Sequence, residues 1–337
     1  MSCFIVGSGA SLPERVVTNA QLAPMLGVSA KWIENNSGIR ERRWVETHQS
    51  TSDLAAAALT DALHDAGLNA EQLDYLIGGT ISPDYQVPGI APLTLRKLLN
   101  ARQIPALDIR VGCVNILYAL QIARALIETR AANNVACFGA EAQSKGLDLS
   151  AKSAEISMLF GDGAGALIVS REPINHSSLR VDDVLIRSDG SFAEDLCVRA
   201  TGTAGARWID REEISDGMHY TVMNGRTVIL QAVRKLSDAA IEIATHNRLT
   251  LDDIDLVIPH QANANLLKQV SKRLGIAEDR VVMNLDRYGN TSGASAFIAL
   301  EEARRKQRMH PGARLMVLAF GAGFTWGAAL LTSSSEN

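Results

Sequence analysis

The chain has 337 residues, 47% hydrophobic and 21% charged, a globular composition long enough for one large domain or two ordinary ones. Its 33 Lys and Arg against 37 Asp and Glu leave a net charge of −4, which gives no global reason to bind nucleic acid or an anionic membrane. No apolar run approaches the ~20 residues of a bilayer span, and the first residues lack the basic and long apolar regions of a signal peptide.

Along the chain, strand-like and helix-like segments alternate, which predicts an α/β protein. Residues 3–6 read as a first strand running into a glycine turn at VGSGASLPE (6–14). That turn is no dinucleotide loop, because a third glycine is missing and Pro13 stands where a helix should be under way. A strong helix follows from Ser52 to Ala66, capped by Thr51 or Ser52 and ended by Gly67. LDYLIGGT then reads as a buried strand, 106–111 as another, 115–128 as a helix and 135–139 as a third strand. FGDGAGALIVS (160–170) is a glycine turn into a strand, so it too fails as a phosphate loop.

Residues 172–225 are irregular, rich in Gly, Ser and charge, and are expected to form a lid or connection. A helix over 228–244 then leads into LTLDDIDLVIPHQ (249–261), which repeats the pattern of LNAEQLDYLIGGT (68–80). Asp74 and Asp255 occupy equivalent places in the two words. Glycine-rich runs entering strands at 160–170 and 320–333 support an internal duplication. The expected organisation is a first half over 1–171, a lid or connection over 172–225 and a second half over 226–337.

Cys3, Cys113, Cys137 and Cys197 are scattered without a CxxC pair, which predicts reduced thiols in a cytoplasm rather than a disulfide frame or a metal site. Cys113 lies where a strand turns into a helix, within IRVGCVNILYAL (109–120). Unpaired N–H groups at a helix start favour an anion and would lower a thiol's pKa. Two readings stand for it: a small buried side chain, the commoner fate, or a nucleophile. His260 follows Pro259 at the end of a buried strand, and Asn290 sits in the glycine turn of DRYGNTSGASA (286–296) before a helix. A satisfied histidine and a capping asparagine are the plain readings of those two. Together with Cys113 they would supply a nucleophile, a proton handler and a hydrogen-bond donor.

SGIRERRW (37–44), the Cys113 joint, FGDGAGA (160–166), PHQAN (259–263), GNTSGAS (289–295) and FGAGFTWGAAL (320–330) occur in this order. In them the sequence resembles the β-ketoacyl-acyl-carrier-protein synthase III family over nearly its whole length. The resemblance implies a duplicated thiolase fold in five α-β-α-β-α layers, a homodimer and a catalytic triad of Cys113, His260 and Asn290. It implies no cofactor. The reaction implied is decarboxylative Claisen condensation: Cys113 takes an acyl group from a thioester, then a malonyl thioester loses CO₂ and attacks it. Backbone N–H groups of Cys113 and Ala322 would hold the oxyanion, and donors on His260 and Asn290 the enolate. Two competing readings are an acyltransferase passing the Cys113 acyl group to an oxygen or nitrogen acceptor, and a non-catalytic partner subunit.

The sequence also departs from the family. Trp32 is kept beside the expected coenzyme A adenine, but arginines that would help hold coenzyme A are replaced by Asn36, Ala154 and Asn265. Delivery of the acyl group on a carrier protein is one alternative, recognition by other residues the other. Lys268, Lys272 and Arg273 follow PHQAN at helical spacing, either as a carrier-protein contact or as a solvated basic face. Val87 stands where the family's dimer partner commonly places phenylalanine at the bottom of the acyl pocket, which implies a deeper pocket.

Overall fold

The structure is a computed structural model describing residues 2–98, 103–174, 177–205 and 207–334. The first half opens with β1 (Phe4–Ser11), a small hairpin of β2 (Val16–Thr18) and β3 (Glu41–Arg43), and between them the helices α1 (Asn19–Leu22) and α2 (Ala30–Ser37). It continues with α3 (Thr51–Ala66), β4 (Tyr75–Gly79), α4 (Ile90–Lys97), β5 (Ala106–Ile109), α5 (Asn115–Glu128), β6 (Asn134–Glu141), α6 (Ala154–Ser157) and β7 (Gly163–Ser170). The second half brings β8 (Leu179–Ser188), a ribbon of β9 (Leu196–Val198) and β10 (Thr221–Met223) around α7 (Arg211–Ser215), and the long α8 (Gly225–His246). It ends with β11 (Leu256–Pro259), α9 (Ala264–Leu274), α10 (Leu285–Tyr288), α11 (Ser295–Arg305), β12 (Arg314–Gly321) and β13 (Thr325–Ser333).

Strand order shows the duplication. The large sheet runs β11-β12-β13-β8-β1-β7-β6-β4-β5. In the first half β4 pairs parallel with β5 and β6, β6 antiparallel with β7, and β7 antiparallel with β1. In the second half β11 pairs parallel with β12, β12 antiparallel with β13, and β13 antiparallel with β8. The counterpart of β5 has shrunk to one parallel bridge between Val257 and Val281. Asp74 and Asp255 are equivalent in detail: the Asp74 carboxylate accepts from Asn134 N at 3.1 Å and the Asp255 carboxylate from Arg314 N at 2.8 Å.

Three apolar cores separate the layers. One packs α3 on the first sheet half, a second buries α5 and α11 between the two sheet halves, and the third packs α8 and α9 on the far face of the second. The result is the expected five-layered α-β-α-β-α thiolase fold.

Some local expectations were wrong. The glycines of VGSGAS lie inside β1, because α3 crosses so closely that a Cβ at Gly7 would sit 2.3 Å from Ala62 O and one at Gly9 2.3 Å from Ala58 O. The cap of α3 is Ser50, whose backbone N–H donates to Asp53 Oδ2 at 2.8 Å, rather than Thr51 or Ser52. Residues 172–225 are only partly irregular, since β8 within them is a full strand of the large sheet.

Candidate active site

Cys113 and His260 each sit where a strand hands over to a helix, and Asn290 sits between α10 and the turn that opens α11. After β5 the chain turns at Gly112, whose φ of +53° suits a residue without a Cβ, and a single 3-10 turn over Gly112–Val114 runs into α5. Cys113 lies in that turn and lines a cavity of about 390 Å³. His260 extends β11 by one more ladder bond, its N–H donating to Leu318 O at 2.7 Å. Gln261 then fixes the loop: its side-chain amide donates to Pro259 O at 2.8 Å and Val282 O at 3.0 Å, and its carbonyl accepts from Asn284 N at 2.9 Å. The PHQAN word is explained, because Asn263 is also the cap of α9. Asn290 follows α10 and is pinned to the 159–161 strip, donating to Leu159 O at 2.8 Å and accepting from Gly161 N at 3.1 Å. The buried Arg42 of SGIRERRW ties the β2–β3 hairpin to that strip through Met158 O at 2.9 Å.

Cys113, His260 and Asn290 all line the one cavity, with Met158, Phe160, Leu196, Met223, Val228, Ala232 and Leu236 making its walls apolar. The β9–β10 ribbon and the start of α8 supply its outer side. Trp32 and Asn36 lie on it as well.

Burial decides the protonation of the two titratable groups. It pushes the Cys113 thiol up to about 11, with Ser292 Oγ at 3.6 Å working against it and the nearby Glu141 charge working with it. The lowering expected from the helix start is therefore overturned: desolvation outweighs it, and the resting site holds a thiol. Burial also pulls His260 down to about 4, so its imidazole is neutral. Its Nδ1 lies 2.5 Å from Ser295 Oγ, which accepts from Gln261 N at 3.2 Å. The Ser295 hydroxyl proton has no other acceptor among the described residues, so it is assigned to Nδ1, which leaves Nε2 as the N–H donor. Asn290 Oδ1 accepts from Ser292 N at 2.8 Å, which fixes the amide with Nδ2 as its donor end, one N–H of which donates to Ala262 O at 3.5 Å.

Gly321, at the end of β12 and just before Ala322, covers the thiol: a Cβ there would lie 2.9 Å from Cys113 Cβ and 3.2 Å from Cys113 N. Ala322 is therefore next to the nucleophile's backbone, although only Gly321 lines the cavity.

The residues replacing arginines have other work. Asn265 Nδ2 donates to Asn35 O at 3.0 Å and Asn36 O at 3.2 Å, and Asn263 Nδ2 to Asn36 O at 2.8 Å, clamping α2 to the start of α9. Ala154 is buried in the core under α8. The charged residues that line the cavity are Glu155 and Arg226, neither singled out in the sequence. Lys268 lines a separate polar hollow with Lys31, Arg40 and Asn265. Lys272 is exposed, and Arg273 pairs with Asp238 at 3.6 Å. Val87 is 86% exposed and does not line the cavity of its own chain.

Sequence reasoning also missed Ser295, Ser292 and Glu141. Glu141 is fully buried and burial raises its carboxyl to about 7, against hydrogen bonds from Ser82, Ile81, Thr80 and Gly293 that favour the carboxylate. An acidic residue closing the apolar run VACFGAE was the available signal.

Two copies of one α/β unit, meeting where the start of α5 touches the turn before α11, make a thiolase-type fold, a scaffold of acyl-transferring enzymes. Comparison with known proteins narrows this. The family model for 3-oxoacyl-[acyl-carrier-protein] synthase III matches residues 107–190, and that for its C terminal residues 244–333. A β-ketoacyl-[acyl-carrier-protein] synthase III of Caldanaerobacter subterraneus subsp. tengcongensis is 39% identical over 327 residues, covering 97% of this chain and 96% of that one. The crystal structure of the synthase III from Thermus thermophilus superposes with a TM-score of 0.86 at 36% identity, covering 99% of both chains. That from Aquifex aeolicus VF5 gives 0.88 at 33%, covering 98% of this chain and 99% of that one. The chain belongs to the 3-oxoacyl-[acyl-carrier-protein] synthase III family.

Proposed function

We propose that the chain catalyses decarboxylative Claisen condensation of an acyl thioester with a malonyl thioester, giving a β-ketoacyl product for fatty acid or related synthesis. The observation that carries this is the meeting of Cys113, His260 and Asn290 on one apolar cavity, within the family fold. Cys113 Sγ attacks the acyl carbonyl, the carrier thiol leaves with the thiol proton, and the acyl group stays on sulfur. N–H groups of Cys113 and Ala322 serve as the oxyanion donors, with the bare Gly321 leaving room above them.

The malonyl thioester then enters the vacated cavity. Its carboxylate leaves as CO₂, and the electron pair moves onto the thioester enolate, whose oxygen accepts from His260 Nε2–H and Asn290 Nδ2–H. Neutral donors suit this step, since a carboxylate there would repel the enolate. The enolate carbon attacks the acyl-cysteine, and Cys113 departs and takes up a proton. Apolar walls keep water from the acyl-enzyme. A histidine held near pKa 4 is a poor general base, which argues against transfer to a hydroxyl or amine acceptor.

The enzyme is further proposed to act as a cytoplasmic homodimer receiving substrates on acyl carrier protein, organised as the two halves 1–171 and 226–337 with 172–225 between them. Support for the dimer comes from β5, which ends the large sheet, and from the exposed apolar side chains of Ile81, Tyr85 and Val87 on the loop beside it. Lys268, Lys272 and Arg273 are the cations offered to an acidic carrier. No helix among the described residues is long and apolar enough to cross a membrane.

The test is intact-protein mass after incubation with acyl-CoA and acyl-carrier donors, beside Cys113→Ala, followed by CO₂ release on adding malonyl thioester. A donor-specific adduct lost in the variant, with CO₂ released, is expected. An adduct without CO₂ release would refute the condensation.

A further inference from the structure

We infer that Glu141 is a positioning residue: its carboxylate fixes the Asn290–Gly293 turn to the end of β4 and so holds the Asn290 amide for the condensation step. The inference rests on the reaction proposed above and adds a residue to it. Glu141 ends β6, deep between the halves. Its oxygens accept from Ser82 Oγ at 2.6 Å, Thr80 Oγ1 at 3.1 Å, Ile81 N at 3.2 Å and Gly293 N at 3.3 Å.

These neighbours are donors. Ser82 Oγ already accepts from Ala142 N at 2.9 Å and Thr80 Oγ1 from Ser82 N at 3.0 Å, which leaves both hydroxyl protons for the carboxylate. Such a cradle fits an acceptor-only group, and an amide in its place must point an N–H at another donor. Gly293 admits the contact because it has no side chain: a Cβ there would lie 3.0 Å from Glu141 Oε1.

From Gly293 the linkage is short. The next residue back, Ser292, gives its N–H to Asn290 Oδ1 at 2.8 Å and lies 3.6 Å from Cys113 Sγ through its hydroxyl. Glu141 thus acts on the reaction in two opposed ways. It holds Asn290 for the enolate, and its charge holds back ionisation of Cys113.

Unfolding alone would also expose Cys113 and slow CO₂ release, so both rates are read on protein whose melting curve shows it folded. Alkylation is followed against pH, where loss of the Glu141 charge moves the profile to lower pH. In Glu141→Gln, iodoacetamide should alkylate Cys113 at least threefold faster at pH 7.5, while CO₂ release from malonyl thioester slows at least tenfold. Both rates unchanged within twofold, or both slowed by one factor, would overturn the inference. Should that variant fail to fold, Ser82→Ala keeps the carboxylate and loses a short donor bond. Its CO₂ release should fall at least threefold with alkylation retained, and unchanged release would overturn the inference equally. If wild-type protein loads no acyl group and releases no CO₂, the proposed reaction fails, and the alkylation comparison still decides whether Glu141 governs Cys113.

Discussion

Ser295→Ala is the sharpest probe of how the histidine is set. The hydroxyl it removes makes two buried bonds, at 2.5 Å to His260 Nδ1 and 3.2 Å to Gln261 N. Leaving a buried polar group unpaired costs about 1–3 kcal/mol each, so the variant should melt lower yet stay folded at 25 °C. The larger consequence is for the imidazole. Without a donor at Nδ1, that nitrogen can carry the hydrogen itself, and Nε2 then faces the enolate with a lone pair. Loss of the tautomer preference by itself costs only about twofold, but the ring also loses the bond that fixes its orientation. An Nε2–H no longer held towards the enolate forfeits one buried hydrogen bond, about 1.4–2.8 kcal/mol or about 10- to 100-fold in that step. Acyl loading of Cys113, followed by intact mass, should change less than threefold, whereas CO₂ release should show the full loss. Ser295→Thr keeps a hydroxyl and should recover most of the rate. A folded Ser295→Ala protein whose CO₂ release stays within twofold of wild type would refute the reading that Ser295 holds His260 in place.

Three further outcomes are expected. His260 titrates near 6.5 unfolded and about 4 folded, so the unfolded chain takes the proton first, and wild type loses about 3 kcal/mol of stability from this group as pH falls through that window. His260→Gln lacks this loss, and Glu141, raised in both proteins, cancels in the difference; denaturant melts should show the variant gaining on wild type by about that amount between pH 7 and 4, and a constant difference would refute the burial account. Asn265→Arg releases the amide clamp on Asn35 and Asn36 and adds a cation to the hollow of Lys31, Arg40 and Lys268 beside the cavity, so the KM for acyl-CoA should fall severalfold at low salt, with the gain shrinking as salt rises. Val87→Phe should reduce turnover of long acyl donors relative to short ones, and unchanged long-chain turnover would show that Val87 does not bound the acyl pocket.

The sheet halves were readable because their strands are short apolar runs punctuated by Gly, Pro and acidic caps, and the Asp74 and Asp255 words marked the repeat. Cys113 and His260 were readable for a related reason, each being a polar side chain set into a strand-to-helix joint, and Asn290 was readable from the glycine turn ahead of α11. What stayed hidden depended on partners far along the chain. The glycines of β1 look like a turn until α3 is laid across them. β8 looks irregular because Arg180, Asp182 and Asp183 interrupt its apolar pattern; they are tolerated because Arg180 pairs with Asp182, and Asp183 with His246 and Arg124. Ser295 carries no local signature because its partners, His260 and Gln261, lie more than thirty residues back, and Glu141 showed only as an acidic end to an apolar run, its partners lying at 80–82 and 293.

The strand and helix equivalences set Cys113 opposite Gly293 and Gly321 opposite Glu141. At one helix start a thiol is roofed by a glycine. At its twin, a glycine is roofed by a carboxylate. A Cβ at Gly293 would lie 3.0 Å from Glu141 Oε1 and 3.1 Å from Gly112 O, so a side chain at the second start would have to push a neighbour aside. In the proposed reaction the two halves divide the work: the first offers the thiol, and the second supplies the imidazole and amide donors that face it.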